Sequence, residues 1–200
     1  MTSETRRELK ALLRDSVAPL LKHEGFTRKY NRWFRERGEA IQVIEIQSAS
    51  AGGSFTVNIG IHRAAAFVLD GWDPPPPMHA VNYDERLGVI AFGRDTWWPT
   101  LPEAGPEVAD LIERFALPWL DARLDPLVCA ADDPLPGSKT VVHLILGGDL
   151  DGAVRAYEAE RSRARKARNA ADRREREHFL GFTLRALERA GLADHIRNVD

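Results

Sequence analysis

The chain has a single cysteine, Cys129, among 200 residues, so it can form no intramolecular disulfide and no cysteine-based zinc site. It lacks any run close to the roughly 18 apolar residues of a membrane-spanning helix. Its start, MTSETRRELK, is charged and lacks the apolar segment of a secretory signal. These absences predict a cytoplasmic location and no membrane partner.

The chain also lacks a strong charge of one sign, since its formal net charge is -2. That balance predicts neither a general nucleic-acid binder nor an acid-rich protein. The hydrophobic fraction of 44% and the charged fraction of 29% are those of an ordinary folded globule. A chain of 200 residues is long enough for one large domain, or for one domain with an appendage.

Motifs with a specific chemistry are missing too. The six histidines are scattered without HxH or HExxH spacing, and GxSxG is absent. The stretch nearest to a phosphate loop, ILGGDLDG, lacks the Lys-Ser/Thr ending that phosphate binding needs. Cys129 lies in the apolar stretch LVCAA, which suits an inert thiol. We therefore expect no metal and no cofactor, and we assign no catalytic residue.

Apolar residues at helical spacing predict a helix at the start of the chain. Its apolar stripe consists of Leu9, Leu12, Leu13, Val17, Leu20 and Leu21. Ser3 is a suitable N-cap, and Gly25 suits the left-handed position after a helix that ends near Glu24. Pro19 removes one backbone donor and should bend the last turns.

Three strand-like runs follow, at residues 30–37, 40–47 and 55–62. Apolar residues alternate strictly in the last run, which is typical of a strand with one buried face. The residues expected to fill the core against Leu13, Val17 and Leu20 are Ile44, Ile46, Phe55, Val57, Ile59 and Ile61.

The alternation also predicts a register for the second and third runs. Pairing Ile46 with Phe55 and Glu45 with Thr56 places the apolar set on one face and the polar set on the other. A slip by one residue would bury the polar set, so this register is favoured. The stretch ERLGVIAFG (85–93) is expected to add a further strand.

The second half of the chain predicts helices separated by breakers. The four prolines of DPPPPMH (73–79) predict an extended segment. A helix is expected from about Pro106 until Pro118 interrupts it. The stretch AADDPLPGS (130–138) predicts a linker. Beyond it we expect a helix, a glycine break and a second helix capped by Asp149.

The predicted fold class is α+β. An N-terminal helix packs on a small, mostly antiparallel sheet, and a C-terminal helical region follows. We place the α+β domain at residues 1–130 and the helical region at residues 139–200. The helical region is expected to be a docked appendage rather than an independent domain.

Five short motifs resemble the DUF4304 family, a bacterial domain of unknown function. In order they are GFTRK after the first helix, IQVIEIQ, FTVNIGIH, ERLG and DTWW, within about residues 9–98. The matching positions are Gly25, Phe26, Gln42, Gln47, Phe55, Asn58, Gly60, Arg86, Leu87, Gly88, Trp97 and Trp98. The resemblance implies a compact α+β domain and brings no established activity.

One face of the predicted sheet carries polar side chains. Glu45, Gln47, Asn58 and His62 could line a shallow groove for a small polar ligand or a peptide. An antiparallel sheet with one solvent-exposed face shows the same alternation, and this purely structural interpretation is the favoured one. Glutamine, asparagine and glycine are poor strand formers, however, and Gly60 permits a close approach. Part of this face is therefore expected to be covered, by the chain itself or by a partner.

Arg86 and the Trp97–Trp98 pair form a second candidate site. An arginine beside tryptophans could bind an anionic or planar ligand. Adjacent strand residues face opposite sides, so one indole is expected in the core and the other at the surface. The alternative is a structural arginine paired with a carboxylate. The candidate carboxylates are Glu45, Asp84 and Asp95.

A basic segment runs from Arg155 to Glu177. It holds nine Lys or Arg and five Asp or Glu, so its excess of four positive charges leaves -6 for the rest of the chain. Such a segment could dock nucleic acid or an acidic protein. Its bases are interleaved with acids at helical spacing, which favours a solvated helix face.

These observations favour a non-enzymatic binding module that recognises a protein partner, as an immunity-type or regulatory component. An enzyme with a site around Glu45, His62 and Arg86 is the alternative, since these supply an acid, a possible base and an anion-binding group. Nucleic-acid binding through the basic segment is the weaker third hypothesis.

Overall fold

A computed structural model describes residues 2–72, 74, 76–77, 80–132, 138–167, 169–192 and 194. Residues 73, 75, 78 and 79 of the predicted proline segment and residues 133–137 of the predicted linker lie outside this part. The chain forms two compact units, residues 1–62 with 78–124 and residues 63–77 with 125–200. Helices and an antiparallel sheet are both present, so the predicted α+β class is confirmed.

The sheet lies in the first unit. Its strands are β1 (Thr27–Lys29), β2 (Arg32–Arg37), β3 (Ala40–Ser48), β4 (Ser54–His62), β5 (Tyr83–Arg86) and β6 (Trp98–Pro99). The strand order is β1-β2-β3-β4-β5, and β6 pairs with the start of β4. Every pairing is antiparallel.

Ten α-helices occur in the described residues. They are α1 (Ser3–Leu12), α2 (Ala18–His23), α3 (Ala64–Asp70), α4 (Leu87–Phe92), α5 (Ala104–Leu111), α6 (Leu117–Ala122), α7 (Pro126–Ala131), α8 (Ser138–Leu146), α9 (Leu150–Arg165) and α10 (Ala170–Arg189). Within this set, no helix has both the length and the apolar character needed to cross a membrane.

The core of the first unit lies between one face of the sheet and the helices α1, α2, α5 and α6. The predicted core is confirmed, with Leu13 and Val17 buried and Leu20 packed against the cluster. The six strand residues, all at most 2% exposed, are Ile44, Ile46, Phe55, Val57, Ile59 and Ile61.

The predicted register between β3 and β4 is wrong by two residues. Ile46 lies opposite Val57 and Glu45 lies opposite Asn58. A shift of two keeps every side chain on its predicted face, because side chains alternate with period two. The shift arises at the connecting loop, where Gly52 and Gly53 have φ of 79° and 77°. These left-handed glycines let the chain reverse over residues 50–53, so that the Ala49 N–H bonds to the Ser54 carbonyl at 2.9 Å and the turn is centred one residue later than predicted.

At two places the helical path continues past a proline, and in both a π-helical turn comes just before it. The turn at Leu13–Val17 joins α1 to α2, and the turn at Ile112–Ala116 joins α5 to α6. The expectation that Pro118 interrupts the second helix is wrong. The N–H of Leu117 bonds to the carbonyl five residues earlier, and this wider turn accommodates the ring that an α-helical interior would exclude.

Two boundaries differ from their predictions. Thr2, rather than Ser3, caps α1, since its hydroxyl accepts the Thr5 N–H at 3.2 Å. The strand expected at residues 85–93 ends at Arg86, where α4 begins. An apolar run of this length fits a strand or a buried helical turn equally well by periodicity. Gly93, at φ 69°, then terminates α4.

A buried polar network ties the sheet to the helices within the first unit. Arg35, on the core face of β2, is 4% exposed. Its guanidinium donates to Gln42 Oε1 at 2.6 Å, to Asp121 Oδ1 at 2.6 Å and to the Glu24 carbonyl at 3.2 Å. Gln42 Nε2 donates to the same Asp121 oxygen at 2.9 Å. Burial lowers the pKa of Arg35 below its usual value, and the Asp121 carboxylate opposes that shift.

The second unit is helical and has its own core. The predicted cap of α9 is confirmed, since Asp149 Oδ1 accepts the Gly152 N–H at 2.8 Å. The core residues are Val141, Ala153, Tyr157, Leu187 and Leu192, with Leu144, Ile145, Leu180 and Leu184 packed against them. Besides the predicted residues 139–200, this unit contains residues 63–77 and those from Asp125 onward. Its role as a docked appendage stays a prediction.

Candidate functional site

The face of the sheet opposite the core carries the candidate polar residues and holds a depression of about 370 Å³. The lining residues are Val43, Glu45, Gln47, Asn58, Ile59, Gly60, Val81, Asp84, Glu85 and Arg86. We call this surface the polar face. Four of the seven predicted site residues line the depression, namely Glu45, Gln47, Asn58 and Arg86.

A glycine lies in the lining of the depression. Gly60 lies between Val43 on β3 and Asp84 on β5 in the strand ladder. Its neighbours on the same face of β4 are Asn58 and His62, each about 7 Å away along the strand. Because Gly60 has no Cβ, it lines the floor of the depression with backbone atoms only.

Glu45 is held by a local network. Its Oε1 atom lies 2.8 Å from Arg32 Nη2 and accepts Asn31 Nδ2 at 3.2 Å. Asn31 is itself fixed on β3, because its side chain donates to the Ile46 carbonyl at 2.9 Å. This carboxylate is therefore an ion-paired wall of the depression.

Gln47 and Asn58 form an amide pair across β3 and β4. Asn58 Nδ2 donates to Gln47 Oε1 at 2.9 Å. Asn58 also lies opposite Arg86 in the pairing of β4 with β5. The amide groups thus satisfy part of each other's hydrogen-bonding capacity and keep further donors and acceptors for a ligand.

Arg86 is fixed at the edge of the depression by its other neighbours. Its guanidinium forms an ion pair with Asp95 and lies over the Trp97 ring, with Cζ 5.4 Å from the centroid. Asp95 Oδ2 also accepts the Trp97 indole N–H at 3.2 Å. One carboxylate therefore orients both the guanidinium and a partly exposed indole.

The two remaining predicted residues lie elsewhere. Trp98 is buried against Phe55, and its indole N–H donates to Glu107 at 3.1 Å. The expectation that one indole is in the core and the other is at the surface is confirmed. His62 is also buried, with Nδ1 2.6 Å from the Ala80 carbonyl oxygen, and does not line the depression.

Sequence reasoning missed Asp84 and Glu85 as lining residues. Period-two alternation on β5 places Asp84 on the same face as Arg86, so this signal was present in the stretch DER. The same alternation on β3 places Val43 on the face of Glu45 and Gln47, whereas Val81, which precedes β5, carries no comparable signal. Among the described residues, no group of three or more His, Cys, Asp or Glu is placed to hold a metal ion.

Some arginines of the basic segment form ion pairs within the segment, around its buried glutamate. Glu160, only 7% exposed, lies 3.0 Å from Arg163 on the same helix and 3.4 Å from Arg176, and the second pair joins α9 to α10. Arg176 also bonds to Asp172 at 2.8 Å. Ion pairs within the helical unit thus neutralise part of the positive charge.

Replacing Arg86 by alanine is expected to lower the free energy of unfolding by less than about 1 kcal/mol. The Arg86–Asp95 pair is partly exposed, and such pairs contribute little to stability. The Gln47–Asn58 bond does not depend on it. Chemical denaturation would measure the change. A loss of several kcal/mol would show that Arg86 belongs to a structural network.

The fold and the depression together define an α+β domain with a polar cleft on the face of the antiparallel sheet opposite its core. The chain matches the family described as Domain of unknown function (DUF4304) over residues 17–122, and it belongs to that family. The resemblance of the five motifs is thereby confirmed and extends through α6. No curated protein and no solved structure matches the chain.

Proposed function

We propose that the protein is a non-enzymatic binding module of the bacterial cytoplasm that recognises a protein partner through the polar face. The observation that carries the proposal is a depression whose polar walls are held in place by neighbouring residues. A site with prearranged walls loses little conformational freedom on binding, which favours affinity. An immunity-type or regulatory role suits such a module.

The geometry favours binding over catalysis. Glu45 is already engaged by Arg32 and Asn31, and Arg86 is engaged by Asp95. His62, the candidate base, does not line the depression. A general acid or base must reach the proton that it transfers, and the three groups proposed for an enzyme do not share one cavity.

The composition of the surface beside the depression supports a protein partner. Tryptophan, tyrosine and arginine are enriched among residues that dominate binding energy at interfaces. Trp97 is 36% exposed and is oriented by Asp95, next to Arg86. The nucleic-acid hypothesis has less support, because acids within the basic segment neutralise part of its arginines.

Site-specific photo-crosslinking tests the proposal. A benzophenone side chain at Gln47, which is exposed and lines the depression, should yield a specific protein adduct in cells of the source organism. The same group at Glu39, which is exposed in the turn between β2 and β3, should not. Mass spectrometry identifies the adduct.

Filling the depression is the accompanying control. Gly60→Val should abolish the adduct at residue 47, because the added side chain occupies the floor of the depression. Valine is a good strand former, so β4 should be retained. The melting temperature of the variant establishes that it folds. If it does not, Asp84→Arg, at an exposed position, replaces it. Equal labelling from residues 39 and 47, or labelling that survives both variants, would contradict a binding role for the polar face.

A further inference from the structure

We propose that the depression takes the side chain of a basic residue, arginine or lysine, from the partner protein. The inference rests on the proposed function and names the group that enters the site. Two independent features carry it: the shape and polarity of the walls, and the balance of charge around them.

The walls suit a side chain that is apolar along its stem and charged at its head. Val43 and Val81 supply apolar surface beside the backbone floor at Gly60. Asp84 lies next to Gly60 on β5, and Asn58 lies next to it along β4. Arginine and lysine bury their methylene stems on apolar surface while the cationic head meets polar groups. A small inorganic cation has no apolar stem that could pack against the two valines, so they would add nothing to its binding.

The charge around the depression is negative after its internal pairs are counted. Glu45 is matched by Arg32, and Arg86 is matched by Asp95. Asp84 is exposed, and neither Asp84 nor Glu85 forms an ion pair with another described residue. Glu85 lies opposite Ile59, on the face of β5 away from Asp84 and Arg86, and its Oε1 accepts the Arg86 backbone N–H at 2.8 Å. Asp84 is therefore the carboxylate that remains to meet a cation.

The arrangement disfavours an acidic or purely apolar side chain. An acidic group over Gly60 would lie beside Asp84 with the nearest guanidinium, that of Arg86, already paired. An apolar group would cover Asp84 without providing a partner, which costs free energy on desolvation. A cationic head avoids both costs and gains charge-assisted hydrogen bonds.

Titration with blocked tripeptides tests the inference on the full-length protein. The probes are acetyl-Gly-X-Gly-amide with X as arginine, lysine, norleucine or glutamate. The reporters are the backbone amide of Gly60 and the side-chain amide of Asn58, observed by NMR. The arginine and lysine peptides should give saturable shifts with a Kd on the order of 1 mM, and the other two should give none.

Charge variants complete the test. Asp84→Asn should weaken arginine-peptide binding roughly threefold, as expected for one partly exposed charge pair. Added salt should weaken binding to the parent, because it screens the interaction between the two charges. Glu39→Gln, which removes a carboxylate from the turn between β2 and β3, should leave binding unchanged.

Norleucine binding as tight as arginine, no effect of Asp84→Asn, or no binding of either basic peptide at tens of millimolar would overturn the inference. These results are separate from the crosslinking outcome. If the adduct at residue 47 forms and Gly60→Val removes it while basic peptides fail, the polar face binds a protein by another side chain. If no specific adduct forms, the proposed function itself fails.

Discussion

The Val57→Asp variant is expected to have no cooperative folding transition. Val57 is fully buried on β4, opposite Ile46, within the core between the sheet and the helices. Aspartate there would bury a carboxylate without a partner, at a cost of several kcal/mol, and would remove apolar contacts as well. That loss approaches the whole stability of an ordinary domain. Circular dichroism during thermal and urea denaturation would measure it.

Gln47→Asp is the matched control for this variant. It introduces the same side chain on the neighbouring strand but at an exposed position on the polar face. Its expected cost is about 1 kcal/mol, from strand propensity and from the loss of the exposed hydrogen bond that Gln47 Oε1 accepts from Asn58. If Val57→Asp melted within a few degrees of the parent, the assignment of the two faces would be wrong.

The Arg35→Ala variant is expected to lose roughly 3 kcal/mol of unfolding free energy. The change removes charge-assisted bonds to Gln42 and Asp121 and leaves the fully buried Gln42 carbonyl without its donor. It also removes the cation over the Phe26 ring, whose centroid lies 4.7 Å from Cζ. Part of the loss is offset because Asp121 is 54% exposed and can be solvated. Urea denaturation with a constant m value would quantify it.

Two further variants separate the network from a general effect of losing arginine. Arg37→Ala, at an exposed position on the same strand, should change stability by less than about 0.5 kcal/mol. Arg35→Met combined with Gln42→Leu should cost less than the sum of the single changes, because both buried polar partners disappear together. Additive losses would show that Arg35 and Gln42 are not coupled.

The fold was largely predictable from local patterns. Strict alternation in β4 identified the core face, and the glycine after α2 marked its end, since Gly25 has φ of 82° and the Phe26 N–H bonds to Leu21 at 2.8 Å. Both signals act over a few residues, where side-chain period and backbone sterics decide the conformation. The candidate lining was also partly predictable, because Glu45, Gln47 and Asn58 follow from the same alternation.

The predictions that failed concern features that depend on residues far apart in the chain or on the conformation of a loop. Alternation on β3 puts Gln42 in step with Ile44 and Ile46, but no local pattern gave Arg35 or Gln42 a buried polar partner, because Asp121 comes about 80 residues later. The polarity of these two side chains would place them at the surface. The loop between β3 and β4 shifted the register by two residues, because the conformation of its glycines is not fixed by composition alone.

The sequence by itself determined the α+β class, the apolar face of the sheet and which polar side chains share the opposite face. It did so because hydrophobic periodicity selects secondary structure and orients each side chain relative to the core. Only the tertiary structure decided that Gly60 lines a depression between Val43 and Asp84, and that Asp95 holds both Arg86 and Trp97. Those relations depend on strand order, register and loop conformation, which arise when segments far apart in the chain pack together.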